Sequence, residues 1–94
     1  MQDAAPRILK REYFKADSIR GTYPYEGKNL DYAIYSYSTP IALFHGGQWY
    51  MTTKRFSQTT TNQQAALRLI LRDEHVIQLS QDVFEHQCKE AGIS

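Results

Sequence analysis

Between His45 and Gln48 stand two consecutive glycines, and the runs on either side of them are dense in apolar, aromatic and β-branched residues. A two-residue link in which both positions tolerate positive φ closes an antiparallel hairpin, because its backbone twist matches that of the strands it joins. The link at Gly46-Gly47 therefore commits Ile41 to His45 and Gln48 to about Thr53 to one ribbon. It also sets the register: His45 faces Gln48, Phe44 faces Trp49, Leu43 faces Tyr50 and Ala42 faces Met51. Side chains alternate between faces, so Ala42, Phe44, Trp49 and Met51 share one side while Ile41, Leu43 and Tyr50 share the other. Both sides are apolar. One helix shields only one of them, and the other side is the expected working surface, open to a terminal segment or to another molecule.

Asp31 to Tyr37 reads as a further strand, and Pro40, which lacks a ladder donor, belongs at the start of the next one or on an edge. Ile8 to Lys15 fits a short strand or a turn and a half of helix, and Gly21 to Asn29, with Pro24 and Gly27, reads as a loop. Thr60 with Gln63, or Thr61 with Gln64, has capping-box spacing, which starts a helix running from about Thr60 to Asp73. On it Ala66, Leu67, Ile70 and Leu71 form an apolar stripe, Ala65 and Leu69 widen that stripe, and Gln64, Arg68 and Arg72 form the wet ridge. Ser80 caps a C-terminal helix from about Gln81 to Ala91, with Val83, Phe84 and Cys88 facing inward, and Asp73 to Leu79 is a connection. The expected class is α+β: a small antiparallel sheet of three or four strands with these two helices, one domain over residues 1–94 with residues 1–7 frayed.

A hydrophobic fraction of 41% beside 22% charged residues is ordinary for a globular chain and argues against disorder. The single cysteine closes no internal disulfide, and the three histidines share no ligand spacing with it or with one another, so neither a zinc site nor another cofactor is expected. Nothing approaches the roughly 20 apolar residues of a membrane span, and the N-terminus lacks a signal-peptide core, so a cytoplasmic protein of the host cell is expected. The net charge of +1 conceals a basic body and an acidic tail, since residues 73–94 hold five acids and one base. That field is too weak for a dedicated DNA binder.

Ser36-Tyr37-Ser38-Thr39-Pro40-Ile41-Ala42, then Trp49-Tyr50, then Phe56-Ser57-Gln58-Thr59-Thr60-Thr61-Asn62-Gln63-Gln64, resembles a family of small proteins found in phages and plasmids. The family pattern reads S-Y-x-T-P-I-A, a short turn, an aromatic-bearing strand, Y-S-x-T-T and H-Q. Phe56 stands where the family has tyrosine, and Gln63 where it has histidine. The resemblance covers residues 35–64 and implies provenance from a mobile element; it supplies no catalytic assignment, and any chemistry of the family histidine would be missing here.

No catalytic triad, phosphate loop or paired-acid motif is present, and an enzyme is not expected. The Ser and Thr residues around the hairpin, Ser36, Ser38, Thr39, Thr52, Ser57 and Thr60 among them, are read as satisfying turns and caps rather than as a phosphate cluster. His45, His75 and His86 are read as solvated, and Cys88 as a buried small hydrophobe. Tyr23, Tyr25, Tyr35, Tyr37, Trp49 and Tyr50 are the candidates for a protein contact, since such rings give large rigid area with a polar tip. The expected function is a non-enzymatic accessory protein, monomer or homodimer, that binds a host protein; its sharpest form, by analogy with the use of small accessory genes, is inhibition of a defence complex such as a CRISPR effector. The alternative is a nucleic-acid module in which Lys54, Arg55, Arg68 and Arg72 meet phosphates beside the aromatic hairpin.

Overall fold

A computed structural model describes residues 4–23 and 31–93. Five strands follow one another as an antiparallel meander: β1 (Phe14–Ala16), β2 (Ile19–Thr22), β3 (Tyr32–Ser36), β4 (Thr39–His45) and β5 (Gln48–Thr52). Helix α2 (Gln58–Ile70) then carries the chain back so that β6 (Val76–Leu79) lies parallel to β5, and helix α3 (Gln81–Glu90) follows. A five-residue helix, α1 (Ala5–Leu9), precedes β1 and buries Ile8. The sheet is thus six-stranded and mixed, larger than the three or four antiparallel strands expected, though the class is still α+β.

The additional strands come from segments too short to show a period. β1 and β2 hold three and four residues across the Asp17-Ser18 turn; β1 overlaps the end of the segment that fits a short strand or a turn and a half of helix, and β2 runs into the segment that reads as a loop. β6 occupies the supposed connection, held by its partner β5 rather than by its own pattern. The register of the glycine hairpin is as its turn dictates, from His45 opposite Gln48 to Ala42 opposite Met51. One face assignment differs. Between Ile34 and Tyr35 the β3–β4 register shifts, so that Tyr35 pairs with Pro40 and Ile34 with Ala42, leaving Ile41 as the extra residue. Such a bulge re-aims a side chain, and Ile41 joins Ala42, Trp49 and Met51 in the core under α2. Pro40, without an N–H to give, sits at the irregularity, where no ladder donor is lost.

Both faces of the central sheet are covered. Leu67 and Leu71 of α2 close one core with Phe14, Tyr32, Ile34 and Trp49; Phe84, Cys88, Ala91 and Ile93 close the other over Ala33 and Leu43. The expectation of a bare face on the glycine hairpin fails here, because α3 lies over β4, β5 and β6.

Helix α2 starts two residues before the expected point. Its N-cap is Ser57, whose hydroxyl accepts from the Thr60 amide at 3.3 Å. Counting from that start, Thr60, Gln64 and Leu67 point inward. Gln64, read as part of the wet ridge, is 2% exposed, and its amide donates to the carbonyls of Thr52 and Lys54 (3.4 and 3.2 Å). Leu69, read as core, is 63% exposed.

Burial pushes the Cys88 thiol up to about 11, with the Glu85 charge adding to the effect. The folded state therefore holds a neutral thiol that the unfolded chain ionises near its ordinary value of about 8.5. Stability from this group is complete below that value and is lost as pH rises toward the folded one. At about pH 8 roughly one native thiol in a thousand is ionised. Alkylation by iodoacetamide should accordingly be orders of magnitude slower in buffer than in urea at that pH, and equal rates would show that Cys88 is not buried. The urea midpoint should fall above about pH 8.5, less steeply in Cys88→Ala.

Candidate functional site

At one end of the sheet two tight turns meet. Asp17-Ser18 joins β1 to β2, Tyr37-Ser38 joins β3 to β4, and the Tyr37 amide donates to the Ser18 carbonyl at 2.6 Å. The N-terminal turns of α2 lie against the same end: Ser36 and Thr60 share a hydroxyl hydrogen bond of 2.8 Å, and the Gln63 amide donates to the Ser18 hydroxyl at 2.9 Å. These bonds run between elements rather than within a turn; the local uses are the Ser57 cap of α2 and Thr52, which accepts from the Lys54 amide while donating to Gln81 at 2.6 Å.

Tyr37 does not follow from local need. It is the first residue of a two-residue hairpin loop with φ +57°, and its side chain is 62% exposed. The left-handed region costs a β-carbon-bearing residue about 1–2 kcal/mol, and this loop position favours glycine or a short polar residue. Asp17, in the matching position of the first turn, has φ +53°, which an aspartate adopts more readily. A bulky aromatic held in that conformation, with no core to fill, carries a backbone cost that its own burial does not offset; Arg11, at φ +55°, shares that backbone region.

Two grooves flank this tip. One, of about 420 Å³, is lined by Lys15, Asp17, Ser18, Ile19, Arg20 and Tyr37. The other, of about 250 Å³, lies between the start of β4 and α3, where Pro40, Phe84, Cys88 and Ile93 give apolar surface and Gln81, Glu85 and Lys89 a polar border. With its neutral thiol, Cys88 contributes apolar surface there rather than a nucleophile.

The residues singled out in the sequence are dispersed. Trp49 is 2% exposed, a core residue with its ring edge-on to Tyr32 and Phe44, and so leaves the set of contact candidates. Tyr35 and Tyr50 are half-buried against the core under α3. Tyr23 is exposed at the other end of the sheet, where its hydroxyl donates to the Arg11 carbonyl and its ring meets Tyr32. Tyr25 lies outside the described residues. Among the cations, Lys54 and Arg55 precede α2, with Lys54 over the Phe56 ring, whereas Arg68 and Arg72 sit near its far end, bonded to Gln78 and the Leu69 carbonyl. The helix separates the two pairs by about 20 Å, so they form no common patch. His45 is not solvated as expected: its Nδ1 lies 2.7 Å from Asp31 Oδ2, and Asp31 also accepts from the Gly46 amide, which ties the glycine turn to the start of β3. Lys15 and Arg20, which the tip brings beside Tyr37, were legible only through strand alternation in β1 and β2.

The model of a family of unknown function matches residues 8–86, a span that takes in all six strands, α2 and the first half of α3. The chain belongs to the DUF8033 family. The tip with Tyr37 and the first groove thus lie wholly within the DUF8033 match, and the second groove lies mostly within it. No curated protein and no solved structure matches the chain. Among the described residues of this DUF8033 protein, no three His, Cys, Asp or Glu side chains are placed to hold a metal ion, and no helix is long and apolar enough to cross a membrane.

Proposed function

We propose that this protein is a non-enzymatic binding module, an accessory product of a phage or mobile element, that docks onto a host protein through Tyr37 and the groove between β4 and α3. The observation that carries this reading is the exposed tyrosine kept in a left-handed turn conformation at its own energetic cost. A protruding aromatic beside a small apolar groove with a polar border is the make-up of an interface hot spot: the ring enters a pocket on the partner, and the groove accepts a side chain in return. The resemblance to phage and plasmid proteins supports the provenance, and inhibition of a host defence complex such as a CRISPR effector is the sharpest form of the reading.

Tyr37→Gly separates folding from binding. Relieving the left-handed strain should raise stability by about 1 kcal/mol. The same change should abolish capture of the host protein that the wild type retains from lysate. Stability is read by urea titration and capture by pull-down. A wild-type pull-down that retains nothing above a scrambled-surface control, or a Tyr37→Gly variant that captures as well as the wild type, overturns the reading.

A further inference from the structure

We propose that the β1–β2 groove is a binding site for single-stranded nucleic acid, in which Lys15 and Arg20 take phosphates while the Tyr37 ring receives a base. This goes beyond the docking reading and does not rest on it, since it concerns the groove on the other side of Tyr37 and a different class of ligand.

Phe14 and Ile19 point into the core under α2, so strand alternation turns Lys15 and Arg20 to the opposite face. On that face α3 packs mainly on β4, β5 and β6, and on the outer strands Lys15 is exposed and Arg20 half-buried. Lys15 and Arg20 are direct cross-strand partners. Like charges in that relation destabilise a sheet. Neither has an acidic partner at ion-pair distance among the described residues, where both ion pairs involve a histidine. Among the described residues nothing relieves that repulsion, and an anionic ligand would do so.

The surroundings say which anion. The half-buried Arg20 guanidinium lies 4.1 Å over the Tyr35 ring, a cation–π contact that places its charge on this face of the sheet. Tyr37 adds an exposed ring on the same groove. A lone carboxylate would engage the cations without stacking on the rings. A nucleotide strand uses both, because each base brings a π-face and each linkage a phosphate. Two cations are too few for a duplex, whose stacked bases would also be unable to reach the rings. Asp17 at the groove's end disfavours a second run of phosphates and suits the polar edge of a base.

The test is fluorescence anisotropy of the full chain with fluorescein-labelled oligothymidylate and oligouridylate of about 15 nucleotides at about 50 mM salt. Saturable binding is expected, with log affinity falling against log salt at a slope of about −1.4, the value for two single-strand phosphates. Lys15→Gln with Arg20→Gln should weaken binding at least about tenfold and flatten that slope, whereas Tyr37→Ala should weaken it by roughly 5- to 100-fold with the slope unchanged. Lys54→Gln with Arg55→Gln should change neither, and an unlabelled duplex of the same length should compete poorly. Urea midpoints of the variants, which should match or exceed that of the wild type, keep a folding defect from passing as a binding defect. Absence of saturable binding overturns the proposal, as does equal loss in the Lys54/Arg55 variant or equal competition by duplex. Inert oligonucleotides together with host-protein capture that depends on Lys15 and Arg20 would also overturn it, in favour of an acidic protein partner.

Discussion

Gly21→Ala should destabilise the fold by about 3 kcal/mol and lower the melting temperature by roughly 15 °C, a large part of the stability of a domain this size. The backbone of Gly21 is not in the left-handed region; its constraint is space. A β-carbon there would lie 2.5 Å from Cε1 of Phe14, 2.7 Å from Cζ of Tyr32 and closer still to the Tyr32 hydroxyl. Gly21 pairs with Phe14 on one side and Ile34 on the other, and the Tyr32 ring lies over β2 where a side chain would otherwise stand. Tyr32 cannot move aside cheaply. Its ring is fully buried, edge-on to Trp49 and Tyr23, and its hydroxyl donates to the Glu12 carbonyl at 2.6 Å, an anchor between the sheet and the segment before β1.

A double-mutant cycle gives the mechanism a sharper check. Tyr32→Phe removes the atom closest to the added methyl at the cost of one hydrogen bond, about 1 kcal/mol. If the clash with the hydroxyl dominates, Gly21→Ala with Tyr32→Phe should be more stable than the two single changes predict by about 1 kcal/mol or more. Urea titration reads all four proteins. A Gly21→Ala protein within about 0.5 kcal/mol of the wild type would show that the Tyr32 ring does not lie over β2.

The same glycine explains part of what the sequence concealed. Glycine punctuates turns and also permits close approach inside strands, and beside Pro24 and Gly27 the first meaning reads more naturally. β2 therefore runs into a segment that reads as a loop, and β1 into one that fits strand or helix equally, because three residues show no period and the Asp17-Ser18 turn carries no glycine. The central hairpin was legible down to its register because its turn is chemically unambiguous and its strands have strong side-chain preferences. The bulge that re-aims Ile41 was not, since alternation counts residues and a bulge adds one. At the candidate site, Tyr37 could be named from its place in the sequence, but the strain that distinguishes it from the other described tyrosines is a backbone property. Lys15 and Arg20 gain meaning only when β1 and β2 pair, which places them side by side away from α2.

Helix α2 gives the second large effect and tests which of its faces is inside. Leu67→Ala should cost about 2–5 kcal/mol, whereas Leu69→Ala, two residues on, should change stability by less than about 0.5 kcal/mol. Leu67 has no exposed surface and packs in the core between α2 and the sheet, while Leu69 is 63% exposed. Hydropathy alone scores the two leucines alike. What separates them is the phase of the helix, fixed by the Ser57 cap and by the Gln64 amide, which reaches the Thr52 and Lys54 carbonyls only if position 64 faces the end of β5. A polar residue thus takes an inward position because two strand-end carbonyls need donors there, and the helix rotates its spare leucine to solvent in consequence. Equal losses for Leu67→Ala and Leu69→Ala in urea titrations would restore the wide apolar stripe that the spacing suggests, and with it a second surface over α2. A large loss at Leu67 alone would confirm that position 67 faces the core and position 69 the solvent, the phase that the Ser57 cap and the Gln64 hydrogen bonds require.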